Sequence, residues 1–211
     1  MEIEVLRTQM NPHFIFNCLS SINLFILKND CETASFYLNK FARLMRQVLE
    51  HSDSELITLK EELDTLTLYI ELEKMRYGQH FDYRIDIEKS LNTQNRQILP
   101  LILQPYVENA IWYGLKHKKK GKGFLDIHVF EKDHYLNIII EDNGIGRAQS
   151  LDIHRQRSSF LKPQNMAVTE ERIVGFNAQY GLDARVDIVD ISDKNGVAKG
   201  TRVVLRFEMG G

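Results

Sequence analysis

Apolar positions at helical spacing open the chain. Ile15, Leu19, Ile22 and Ile26 recur at intervals of four, three and four, which predicts a helix over residues 2–28 with that stripe turned toward a partner. Pro12 interrupts it. Proline lacks an N–H and clashes with the preceding turn, so the helix either kinks there or restarts with Asn11 as its cap. A second helical pattern over 32–51 carries Tyr37, Phe41, Leu44 and Val48, flanked by Leu38, Met45 and Leu49. The two helices form an antiparallel hairpin. Two helices alone bury little, so pairing with a second copy into a four-helix bundle is expected; packing of both onto a larger domain is the alternative.

Thr58-Leu59-Lys60-Glu61 is a capping box that opens a third helix through Arg76, with Leu59, Leu63, Leu66 and Ile70 on one stripe. After Tyr77-Gly78 the period changes. Phe81, Tyr83, Ile85 and Ile87 alternate with polar residues, the pattern of a half-buried strand. Prolines at 100 and 105 and Gly114 frame a short helix with Asn109 in its middle. Strands are expected over 125–130 and 136–140 as a hairpin, then a polar covering loop over 147–164 and a helix over 166–180 stopped by Gly181. Strands over 184–191 and 201–207 flank the turn Asp193-Lys194-Asn195-Gly196.

Composition narrows the classes. A chain of 211 residues, 43% hydrophobic, can bury one sizeable core and a smaller helical unit beside it. With 27 basic and 29 acidic residues the formal charge is -2, so the overall balance calls for neither nucleic acid nor an anionic membrane. Cys18 and Cys31 stand apart from any ligand-like cluster; they suit a reducing compartment and are read as packing residues. No apolar run approaches the roughly 20 residues of a membrane span, so the chain as given is expected to be soluble, without membrane contact.

Four places carry candidate chemistry. Glu141-Asp142-Asn143-Gly144-Ile145-Gly146 follows an apolar strand, placing a carboxylate beside glycines that let backbone approach a ligand; the same residues also make an ordinary turn. Asn109 sits mid-helix, where asparagine is a poor helix former; its amide oxygen suits a hard cation such as Mg2+, or bonds solvent or backbone. His13 lies at the helix break, and Phe16, Asn17 and Ser20 share its face at i+3, i+4 and i+7. It is either a surface residue or a nucleophile through its neutral imidazole. The run from Lys116 to Lys122, with five lysines, reads as a solvated loop or a phosphate contact.

The order of these pieces resembles the sensor histidine kinases of the LytS-like branch across nearly the whole length. Gln9-Met10-Asn11-Pro12-His13-Phe14-Ile15-Phe16-Asn17 looks like that branch's phosphoacceptor box, and Gln104-Pro105-Tyr106-Val107-Glu108-Asn109-Ala110-Ile111 is similar to its N-box. Asp142-Asn143-Gly144-Ile145-Gly146 resembles the first glycine box of the GHKL ATPases, and Gly200-Thr201 their late Gly-Thr element. The resemblance implies an α+β chain: a dimerisation and phosphotransfer hairpin over 1–57, then a GHKL (Bergerat) α/β sandwich with a mixed sheet over 58–211. It implies ATP, with Asp142 reading adenine, Gly144, Gly146, Tyr113, Lys116 and Thr201 around the nucleotide, and Mg2+ held through Asn109. His13, with Asn17 beside it, would take the γ-phosphoryl group and pass it to the receiver domain of a response regulator. A homodimer is implied, and in the full-length protein a sensor often embedded in the membrane, the fragment itself being cytoplasmic.

Departures from the pattern matter. Asn165 stands where the second glycine box has glycine, and Trp112-Tyr113 replaces a common Lys-His, leaving Lys116 or Lys118 as phosphate partners. Phe14 follows His13 where larger kinase families have an acid. Relatives that hydrolyse ATP with water are similar in carrying a glutamate one turn before the asparagine, and that place is Pro105 here, which favours transfer to His13. A weak or inactive nucleotide-binding scaffold and a GHKL ATP hydrolase are the alternatives.

Overall fold

The structure, a computed structural model, describes residues 11–118, 120–147, 150 and 164–209. It divides into two compact units, Met1–Gly78 with Asn92–Gln104, and Gln79–Leu91 with Pro105–Gly211.

The first unit is helical. Helix α1, Pro12–Leu27, starts on Asn11, whose backbone is extended and whose side-chain oxygen accepts from the His13 N–H, with Pro12 at the first position. The proline therefore begins a helix rather than kinking one; the preceding residues lie outside those described. Its buried face is Phe14, Cys18 and Ile22, while Leu19 and Ile26 are 42% and 49% exposed. The expected stripe is thus displaced by one residue at Ile15 and Leu19 and shared at Ile22. Adjacent apolar residues such as Phe14 and Ile15 give the helix more than one spacing of three and four, and the partner it packs on selects among them.

Helix α2, Cys31–Ser52, is capped by Asp30 and buries Ala34, Phe41, Leu44 and Val48. Cys18 packs as expected, but Cys31 is exposed at the first position of α2. Helix α3, Leu59–Tyr77, carries the complete Thr58/Glu61 capping box. It is buried well beyond the expected stripe, since Glu62, Thr65, Tyr69 and Glu73 lie inside as well. Strand β1, Ile57–Thr58, pairs antiparallel with β3, Gln97–Ile98, which ties the later segment to the base of α3.

The second unit is a five-stranded mixed sheet. Its strands are β2, Phe81–Ile87; β4, Gly123–Lys132; β5, Tyr135–Asp142; β6, Ala184–Ser192; and β7, Ala198–Glu208, in spatial order β2-β4-β5-β7-β6. Only the β2–β4 pair is parallel. Alternation along the strands buries Leu125, Ile127 and Val129 of β4, Leu136, Ile138 and Ile140 of β5, and Val203, Leu205 and Phe207 of β7. Helix α4, Gln104–Asn109, passes into a π-helical turn, Ala110–Leu115, that contacts β4, β5 and β7, and helix α5, Gln164–Tyr180, contacts β6. Gly181, with φ of 64°, stops α5. The fold class is α+β, and among the described residues no helix is long and apolar enough to cross a membrane.

Candidate functional site

The second unit gathers seven of the nine expected site residues: Asn109, Tyr113, Lys116, Asp142, Gly144, Gly146 and Thr201. Asp142 is the last residue of β5 and is only 4% exposed. Leu125 of β4 and Thr201 of β7 flank it in register. Its Oδ1 accepts from the Gly144 N–H at 2.8 Å, and the Thr201 N–H also donates to the carboxylate. Burial still dominates and pushes the carboxyl up to about 6; the two N–H donors and Lys118 oppose that rise, and Glu141 adds to it.

Three glycines let backbone close around this carboxylate. A Cβ at Gly114 would stand 2.6 Å from Asp142 Oδ1, one at Gly144 would run into the Gly114 carbonyl group, and one at Gly200 into the Asp142 carbonyl oxygen. Gly114 therefore does more than end a helix. Gly146 takes φ of 76°, and a Cβ there would lie 2.8 Å from that of Ala198. Asn143 fixes the turn from the other side, accepting from the Phe124 N–H at 2.8 Å, while the Lys118 ammonium donates to the Asn143 carbonyl.

Asn109 closes α4, half-buried, and its side chain makes no capping hydrogen bond. The π turn follows at once, with the Lys116 N–H bonding five residues back to the Ile111 carbonyl at 2.9 Å. Such single π turns often mark functional sites, and the wider turn re-aims the residues after Asn109. Burial raises the Tyr113 hydroxyl, assisted by Glu108. Lys116 lies 5.0 Å above the Trp112 ring, which leaves Trp112 holding the cation rather than simply displacing one. Asn165 is in the first turn of α5, and most of the expected covering loop over 147–164 lies outside the described residues.

The remaining two expected residues belong to the first unit. His13 is exposed in the first turn of α1; its backbone N–H donates to Asn11 Oδ1 at 3.0 Å, and the Phe14 N–H to the Asn11 carbonyl at 2.8 Å. Asn17 sits half-buried one turn on, and Ser20 is exposed with its hydroxyl bonded to the Phe16 carbonyl at 2.8 Å. The polar face expected around His13 is therefore present.

Together these features define a class: an α+β protein with an accessible histidine on a helical unit and a glycine-framed aspartate on a mixed sheet. Residues 1–81 match the protein family described as histidine kinase. The sensor protein LytS of Staphylococcus epidermidis is 37% identical over 147 residues, 69% of this chain and 24% of that protein. The sensor histidine kinase YpdA of Escherichia coli is 36% identical over 145 residues, 69% of this chain and 25% of that protein. Among solved structures, the Acinetobacter baumannii histidine kinase AdeS is similar at a TM-score of 0.48 and 17% identity, over 89% of this chain and 84% of that one. The chain belongs to the LytS-like sensor histidine kinases, and it spans about a quarter of the length of the curated relatives it matches.

Proposed function

We propose that the chain is the core of a two-component sensor kinase that phosphorylates itself on His13 from ATP and passes the group to an aspartate of a response regulator. The observation that carries this reading is the exposure of His13 on the first turn of a capped helix, inside the segment that matches the histidine kinase family. An unprotonated imidazole nitrogen attacks the γ-phosphorus. A P–N bond forms as the bond to the β,γ-bridging oxygen breaks, ADP leaves with that oxygen, and the proton on the other ring nitrogen passes to solvent. In the second transfer the regulator's carboxylate oxygen takes the phosphorus, and the imidazole recovers a proton.

The pocket edge fits a nucleotide. Asp142 offers a buried acceptor to the adenine amino group, and the close backbone approach at Gly114, Gly144 and Gly200 fixes the turn that presents it. Gly146, Thr201, Tyr113 and Lys116 are assigned to the rest of the nucleotide. The half-buried amide of Asn109, unused in capping, fits a hard-cation ligand; Mg2+ bound there with the phosphates would neutralise charge developing on them.

The hairpin region, residues 1–57, serves dimerisation and phosphotransfer, and residues 58–211 bind ATP. Phe16, Leu24 and Leu27 on α1 and Phe36 and Leu38 on α2 are 48–71% exposed, which supports a second copy as the partner of this surface. The test is incubation with γ-labelled ATP. A label that is acid-labile and alkali-stable is expected, abolished by His13→Ala with nucleotide binding intact; labelling that survives the substitution overturns the assignment.

A further inference from the structure

The helix that carries His13 is anchored to α3 through the residue next to the histidine. Phe14 and Tyr69 are each 1% exposed, and their rings stack with centroids 4.7 Å apart and planes 30° from parallel. One turn further along α1, Cys18 is fully buried, and burial, with Glu73 adding, pushes its thiol up to about 12. α1 thus meets α3 along the Tyr69–Glu73 turn.

Tyr69 is itself held. Its hydroxyl lies 3.5 Å from Glu73 Oε1, and the same oxygen accepts from Arg76 Nη1 at 2.8 Å. Arg76 also donates to the Tyr77 hydroxyl and lies 4.5 Å over that ring. Glu73 is fully buried, so this ion pair acts away from water, where its geometry is strongly enforced. Buried and stacked, the Tyr69 ring is a wall for Phe14. Consecutive helical residues share one rigid backbone turn, so a wall against Phe14 also sets the direction in which His13 leaves the helix.

We propose that Tyr69 is a positioning residue for phosphoryl transfer: its ring, stacked on Phe14, holds Phe14 and through it the orientation of the His13 imidazole. This rests on the reading of His13 as phosphoacceptor. In-line transfer depends steeply on placement, and a displacement on the order of 1 Å costs about a hundredfold in favourable cases. The stack, rather than the hydroxyl, is the part that touches α1.

The experiment measures His13 labelling rate against ATP concentration in the full chain. Tyr69→Leu removes the ring and is expected to lower the maximal rate roughly tenfold or more while leaving the ATP concentration for half-maximal rate unchanged. Tyr69→Phe keeps the ring and is expected to restore the rate to within about threefold of the parent. Should Tyr69→Leu fail to fold, Phe14→Leu tests the same contact from the α1 side and is expected to give the same split. Undiminished rates in the leucine variants overturn the inference, as does a loss in Tyr69→Phe equal to that in Tyr69→Leu, or a change confined to the ATP dependence. A parent chain that takes no acid-labile label overturns the kinase reading instead, which keeps the two failures apart.

Discussion

Gly114 and Gly144 meet backbone to backbone. The Gly114 carbonyl accepts from the Ile145 N–H at 3.3 Å, and a side chain at Gly144 would have to occupy the space of the Gly114 main chain. The contact joins the π turn after Asn109 to the turn after Asp142, so the two ends of the expected pocket are placed by one close approach. Gly144→Ala is expected to destabilise the protein by about 3 kcal/mol, because main chain yields less readily than a side chain, and to abolish nucleotide binding. Gly175 on α5 has nothing within 4 Å of its Cβ position, so Gly175→Ala is expected to stabilise by about 0.5–1 kcal/mol. Urea unfolding of the two variants, with binding of a fluorescent ATP analogue, checks both.

Asp142 makes the site pH-dependent in two opposed ways. Its folded value of about 6 lies above the roughly 4 of an unfolded aspartate, so between those values the folded chain keeps a proton that the unfolded chain has lost. Stability from this group is therefore full below about pH 4 and falls as pH rises through about 6, by roughly 3 kcal/mol in all. On the proposed role of Asp142, nucleotide affinity is expected to run the other way, since the ionised carboxylate is the better acceptor; at pH 5 only about a tenth is ionised, and affinity should be about tenfold weaker than at pH 7.5. Asp142→Asn is expected to flatten both profiles. A parent and variant that keep a constant stability difference from pH 4 to pH 7.5 would contradict the assignment.

Much of this was legible in the residues, and what was not has physical causes. Alternation identified β2, and apolar runs bounded by turn residues identified β4, β5, β6 and β7. The capping box located the start of α3. The π turn was not legible, since hydrogen bonds to the fifth residue back leave no distinct spacing of apolar positions. Gly114 read as a helix stop because its second role depends on Asp142 and Gly144, both distant in sequence. Glu62 and Glu73 were unremarkable charges on a helix until their partners were in place. Phe14 does not stand out beside Ile15, because adjacent apolar residues give a helix more than one admissible face.

Asn109 should trade stability for binding. An asparagine within a helical run is about 0.5 kcal/mol less favourable than alanine, and its side chain makes no capping hydrogen bond in return. Asn109→Ala is therefore expected to raise the unfolding midpoint slightly while weakening ATP binding at least tenfold in the presence of Mg2+. With the cation chelated, parent and variant should bind ATP equally. Equal affinities with Mg2+ present would remove Asn109 from the cation site.

Glu62 offers the largest stability effect outside the pocket. Its carboxylate is 1% exposed and takes two backbone donors, Oε2 from the Leu101 N–H at 2.7 Å and Oε1 from the Leu103 N–H at 2.9 Å. Leu101 has φ of 55°, a left-handed conformation that costs a leucine about 1–2 kcal/mol and persists here because its own N–H and that of Leu103 are held by Glu62. Glu62→Ala strands two buried N–H groups and is expected to cost about 3–5 kcal/mol, whereas Glu62→Gln keeps one acceptor oxygen and should cost about half as much. Hydrogen exchange distinguishes this clamp from general loosening. In Glu62→Gln the Leu101 and Leu103 amides should lose protection while the β4 and β5 amides keep theirs, because the carboxylate acts on the segment that leads into α4 and leaves the sheet ladder untouched.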